Sequence, residues 1–80
     1  MPTRNLDIDL LRCFVTIADA GSFTRAGEQL GRTQSTVSLQ IKRLEEQLGR
    51  SVFERSPRSL RLTADGERLL GTARKLLNLN

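Results

Sequence analysis

Histidine, tryptophan and tyrosine are absent from these 80 residues. Without histidine the chain lacks the commonest metal ligand and the side chain that most often moves protons near neutral pH. It has no GxGxxG, no P-loop and no metal-ligand cluster, so an enzyme or a bound cofactor is not expected. The three phenylalanines sit at positions that read as core, which leaves little for stacking on unpaired RNA bases. The single cysteine, Cys13, excludes an internal disulfide and stands among apolar neighbours as a small core residue. No window approaches the ~20 apolar residues of a membrane span, and MPTRNLDIDL has no apolar run like a signal peptide. A cytoplasmic protein is expected, with no membrane partner.

What is present reads as one small soluble domain. Hydrophobic residues make up 38% and charged residues 28%, which suits a globule rather than a disordered tail. A chain this short buries only roughly 60% of its unfolded surface, so its core is thin and a partner would help. The net charge of +4 is unevenly placed. Residues 1–31 hold three arginines against four acids, and residues 32–80 hold ten bases against five acids. Eleven of the thirteen bases are arginine, whose planar fork suits phosphate and base-edge contacts. A solvated surface would account for the same charges. A phosphate-facing side is the sharper expectation.

Three helices lead the chain. Asp7 can cap a first helix running to about Ala20. Ile8, Leu11, Val15 and Ala18 form one stripe on it, with Leu10, Phe14 and Ile17 beside them. Gly21 stops that helix, and Ser22 caps a second from Phe23 to Leu30. Gly31 and Arg32 follow, and Thr33 caps the third. TQSTVSLQIKRLEEQLG, Thr33 to Gly49, carries Val37, Ile41, Leu44 and Leu48 at intervals of 4, 3 and 4, a single apolar stripe. Its first half has no charge before Lys42, and both acids, Glu45 and Glu46, lie in its second half. Two helices joined by a short glycine-containing turn predict a helix-turn-helix, and Ala26 and Gly27 supply the small residues a close crossing needs. A plain αα-hairpin in a helical bundle fits the same spacing.

Residues 50–63, RSVFERSPRSLRLT, change character. Val52 and Phe53 make a short apolar run, residues 56–59 are turn formers, and Leu60, Arg61 and Leu62 alternate like a strand. Two short strands joined by a loop are expected, a wing studded by Arg55, Arg58 and Arg61. Gripping a phosphate backbone or minor groove is a natural task for it. Thr63 then caps a fourth helix from Ala64 to near the end. Leu69, Leu70, Ala73, Leu76 and Leu77 form its stripe, expected to pack on a second copy of the chain; a helix whose Leu69/Leu70 end alone packs on the first helix, the rest fraying, fits the same residues.

From Leu10 to Leu70 the chain resembles the N-terminal DNA-binding domain of LysR-type transcriptional regulators, a bacterial family. GSFTRA, TQSTVS, QIKRLEEQLG, FER and LTADGE carry the likeness, in order and at the family's separations. The resemblance implies a mainly α, winged helix-turn-helix fold: a three-helix core, a two-stranded β wing and a C-terminal linker helix. It places the DNA-binding domain at residues 6–63, with the helix-turn-helix at about 23–42, the wing at about 50–62, and the linker and dimerisation helix at 64–80. It implies a homodimer reading an interrupted palindrome in double-stranded DNA, with residues 34–48 as the recognition helix in the major groove. Positions matched by Thr33, Gln34, Ser35, Ser38, Leu39 and Lys42 face DNA in the family. Gln34 can pair bidentately with adenine, worth roughly 1–3 kcal/mol of discrimination, and Leu39 can meet a thymine methyl. Lys42 and Arg43 would reach the backbone. Ser22 and Thr24 match positions near phosphate, and Arg55 matches a wing residue near the minor groove.

The departures are local. Gly27 stands where the family usually has alanine, and Ser35 where proline is common. Leu39 stands where arginine or glutamine is often found. Arg32 replaces an apolar residue, so either the turn is more exposed or Arg32 adds a phosphate contact. Family members continue into a larger domain that binds a small-molecule inducer. This chain stops at Asn80, so that domain and its inducer are expected to be missing here. The competing function is a helical protein-interaction module without DNA specificity, whose arginines only solubilise it.

Overall fold

The computed structural model describes residues 7–55 and 60–77, apart from the side chain of Arg55. Four helices and a two-stranded sheet follow in the order α1 (Ile8–Ala20), α2 (Phe23–Leu30), α3 (Gln34–Leu48), β1 (Phe53–Arg55), β2 (Leu60–Leu62) and α4 (Ala64–Leu76). The expected caps close their helices. The side chains of Asp7, Ser22, Thr33 and Thr63 accept from the backbone N–H groups of Asp9, Arg25, Thr36 and Gly66.

Helix α1 is the central rod, in contact with α2, α3 and α4. Leu11, Cys13, Phe14 and Ile17 are fully buried on it, and Val37, Ile41 and Leu44 meet them from α3. Ile8 departs from the expected stripe. It is the first helical residue, and its side chain stays 46% exposed. Phe14 and Phe23 both pack on Phe53, with ring centroids 5.4 and 5.8 Å apart, so one aromatic trio joins α1, α2 and the wing.

The helix-turn-helix crossing is tight because residue 27 has no side chain. A Cβ on Gly27 would stand 2.7 Å from the Arg32 carbonyl oxygen, closer than such atoms approach. The Arg32 N–H bonds the Gly27 carbonyl at 2.8 Å, and Gly31 takes the left-handed turn at φ 70°. The glycine at position 27 thus lets the turn close directly on α2.

The strands pair antiparallel, Phe53 opposite Leu62, Glu54 opposite Arg61 and Arg55 opposite Leu60. The backbone of Val52 joins three elements. Its N–H donates to a Glu45 carboxylate oxygen on α3 at 2.9 Å. Its carbonyl accepts from the Thr63 N–H at 3.0 Å. That same carbonyl presses on Gly66 of α4, where a Cβ would collide with it. Helix α4 runs to Leu76, and Leu77 N–H closes it on the Ala73 carbonyl at 2.9 Å; positions 78–80 of the expected linker helix lie outside the described residues. Ala73, expected on the stripe facing a partner, is instead fully buried in the chain's own core. Leu69, Leu70 and Leu77 are half-buried against that core, and Leu76 is 59% exposed.

Candidate nucleic-acid interface

The outer face of α3 is the candidate surface. Burial of Val37, Ile41 and Leu44 on one side turns the rest of the helix outward. Thr33, Gln34, Ser35, Lys42 and Arg43 are exposed, Ser38 is half-buried, and Leu39 is 50% exposed. Gln34, Ser35, Ser38, Leu39, Lys42 and Glu45 line one shallow depression along the helix. Five of the six expected base-reading residues therefore share a single surface. Thr33 stands at its head, where the hydroxyl caps the helix and donates to the Thr36 hydroxyl at 2.9 Å.

The electrostatics follow from the helix itself. The first turn of α3 contains no acid, so nothing offsets the partial positive charge of its N-terminus. Glu45 lies at the far end of the depression and is held by the Val52 N–H. Ser22 caps α2 through its hydroxyl, and Thr24, two residues on, is exposed. Arg32 is exposed in the turn, and its Nη1 donates to Gln40 Oε1 at 3.0 Å.

The wing supplies a second basic element. Arg61 is exposed on β2, and Arg55 is placed on β1 by its backbone. Arg58 lies outside the described residues. Arg50, at the approach to the wing, turns instead toward α4, where it and Arg68 both donate to Asp65. Those bonds, the one from Arg68 foremost, hold the Asp65 carboxyl below its ordinary range. Arg74 binds Asp19 across α4 and α1, and the carboxylate raises the guanidinium's affinity for its proton.

Sequence reasoning missed Glu45, Gln40 and Gly66. The partners of Glu45 and Gly66 become neighbours only when the wing folds back. Gly66 did leave a trace, since glycine inside a helix lacks a local reason.

Among the described residues no three His, Cys, Asp or Glu side chains are grouped to hold a metal ion, and no helix is long and apolar enough to cross a membrane.

Comparison with known proteins identifies this surface's setting. The HTH-type transcriptional regulator PecT of Dickeya dadantii (strain 3937) is 48% identical over 79 residues, which cover 99% of this chain and 25% of PecT. The HTH-type transcriptional regulator DgdR of Burkholderia cepacia is 49% identical over 74 residues, 92% of this chain and 25% of that protein. The chain thus spans about a quarter of the length of these relatives. The crystal structure of the BenM_DBD/catB site 1 DNA complex superposes with a TM-score of 0.87 at 37% identity, covering 91% of this chain and 78% of that one. Residues 8–67 match the model of the bacterial regulatory helix-turn-helix proteins of the lysR family, and the chain belongs to that family.

Proposed function

We propose that this chain binds double-stranded DNA sequence-specifically, as the DNA-reading domain of a cytoplasmic LysR-type transcriptional regulator. One observation carries the reading. On a fold shared with a family member crystallised with DNA, the leading half of α3 is exposed, polar and free of acid. Such a helix end can enter a major groove without repelling phosphates. Gln34, Ser35, Ser38, Leu39 and Lys42 read base edges in this account, with Thr33 at their head. Ser22, Thr24, Arg32 and Arg43 grip the backbone, and Arg55, Arg58 and Arg61 bring the wing to the backbone or minor groove. No catalytic residue has a part in it.

The domain acts as a homodimer on an interrupted palindrome, joined through α4. The exposed Leu76 and the half-buried Leu69, Leu70 and Leu77 support that surface, and the buried Ala73 drops out of it. An inducer, where the whole regulator takes one, is bound by residues outside this chain.

The test is selection of binding sites from a random duplex pool at near-physiological salt. Enrichment of an inverted repeat is expected. Salt-steep retention without enrichment would reduce the reading to a backbone grip. No retention would transfer it to the protein-interaction module.

A further inference from the structure

We infer that Gln40 is a positioning residue, holding the Arg32 guanidinium on one flank of α3 where a phosphate of the bound duplex would lie. The inference rests on the DNA-binding reading above.

Arg32 is restrained twice. Its backbone is fixed against Gly27 through the 2.8 Å bond from its N–H and the close approach of its carbonyl. Its side chain is fixed by the 3.0 Å bond to Gln40 Oε1, which bridges the turn to the body of α3. An exposed arginine otherwise keeps wide rotamer freedom, and ordering it on binding weakens the complex. Here that ordering precedes the ligand.

The chemistry of the acceptor decides what the restraint is for. Among the described residues, Arg50 and Arg68 donate to Asp65 and Arg74 donates to Asp19, so each of these guanidinium groups meets a carboxylate. The acceptor of Arg32 is a neutral amide. It orients the guanidinium without cancelling its charge, and it occupies one of five N–H donors. An oriented cation with four unspent donors is suited to a phosphate.

The placement agrees. Thr36, Gln40, Arg43 and Gln47 follow one another at intervals of 4, 3 and 4, a stripe of α3 that contains no acid. It flanks the buried stripe on the side away from Gln34, Ser38 and Glu45. A helix lying in a groove has a phosphate strand along each side. Arg32 with Arg43 serves the strand on this flank.

A double-mutant cycle tests this on the full chain, using the duplex that the wild type retains from a random pool and an unrelated duplex of equal length. Gln40→Ala should lose about threefold to tenfold in affinity on both duplexes. Arg32→Ala should lose at least as much and flatten the slope of log affinity against log salt by about one. The double variant should bind no more weakly than Arg32→Ala. Gln40→Met, which keeps the bulk without the acceptor, should repeat the loss, with thermal unfolding unchanged. Additive losses, or a loss confined to the selected duplex, would make Gln40 a direct contact and overturn the positioning role. Unchanged affinity in Gln40→Ala, or a matching drop in unfolding temperature, would overturn it too. A wild type that binds no duplex would overturn the DNA-binding reading and this inference with it.

Discussion

The backbone N–H of Val52 is satisfied by the carboxylate of Glu45, seven residues back, at 2.9 Å. Val52 is fully buried and precedes the first strand residue, so its N–H has no ladder partner. Removing the carboxylate strands that donor. Glu45→Ala should cost about 1–3 kcal/mol of stability, while Glu45→Gln, which keeps an oxygen acceptor, should cost less. Urea unfolding midpoints compare the three proteins, and an unmoved midpoint for Glu45→Ala would remove the role.

Two glycines of α4 should respond to alanine in opposite directions. A methyl at Gly66 collides with the Val52 carbonyl, whereas a methyl at Gly71 meets nothing. Gly66→Ala should therefore destabilise the fold severely. Gly71→Ala should stabilise it by up to about 1 kcal/mol, the gain of alanine over glycine in a helix interior. Thermal unfolding of both variants decides it, and like signs would contradict the contact geometry.

Acid should weaken the tie between α4 and the segment before the wing. The Asp65 carboxyl is held below its ordinary range by the Arg68 hydrogen bond, with Arg50 adding to the effect. A depressed folded value means that the carboxylate contributes stability above the unfolded value of about 3.9, and that this is lost as pH falls through the lower folded value. Asp65→Asn should be less stable than the parent at pH 7, and the two should converge only as pH falls through that lower folded value. A gap that stays constant down to that acidity would remove Asp65 as its source.

Cys13 should be chemically silent in the folded protein. Burial pushes its thiol up from the ordinary range, against a smaller opposing pull from the Arg32 charge, and the residue is fully enclosed. Alkylation at neutral pH should proceed only through unfolding. Its rate measured against urea should track the unfolded fraction, and rapid labelling in buffer would show that the α1 core opens locally.

Reading and gripping should separate by mutation. Gln34→Ala should relax sequence preference more than it lowers non-specific affinity. Arg61→Ala, on the exposed side of β2, should weaken binding on all duplexes and flatten the salt slope by about one. Titrations of selected and unrelated duplexes would show the split. An equal loss on every duplex from Gln34→Ala would take the reading role from that residue.

The helices and caps were legible because their causes are local. The 4, 3, 4 spacing of Val37, Ile41, Leu44 and Leu48, and the hydroxyls of Ser22, Thr33 and Thr63, act within a few residues of themselves. The exposed head of α3 was legible for the same reason. What stayed hidden depends on distant partners. The spacing of Leu69, Leu70, Ala73, Leu76 and Leu77 shows a stripe but not what covers it, and the chain's own core takes Ala73. Gly66 and Gly71 are alike in sequence, and only the position of the Val52 carbonyl separates them. Gln40 is an ordinary helical polar residue until the turn brings Arg32 beside it.

The Val52 junction also sets the direction in which a long arm leaves the core. Helix α4 leaves it and runs for 13 residues, about 20 Å at 1.5 Å per residue. A tilt of about 10° at that one peptide would carry the far end of the helix by roughly 3 Å, close to one base-pair step of duplex DNA. In a dimer joined through α4, the distance between two copies of α3 is then set by an angle rather than by the length of a tether. If two copies are joined as proposed, a substitution at Glu45, Val52 or Gly66 should change the separation of their α3 helices, though none of the three need touch a base.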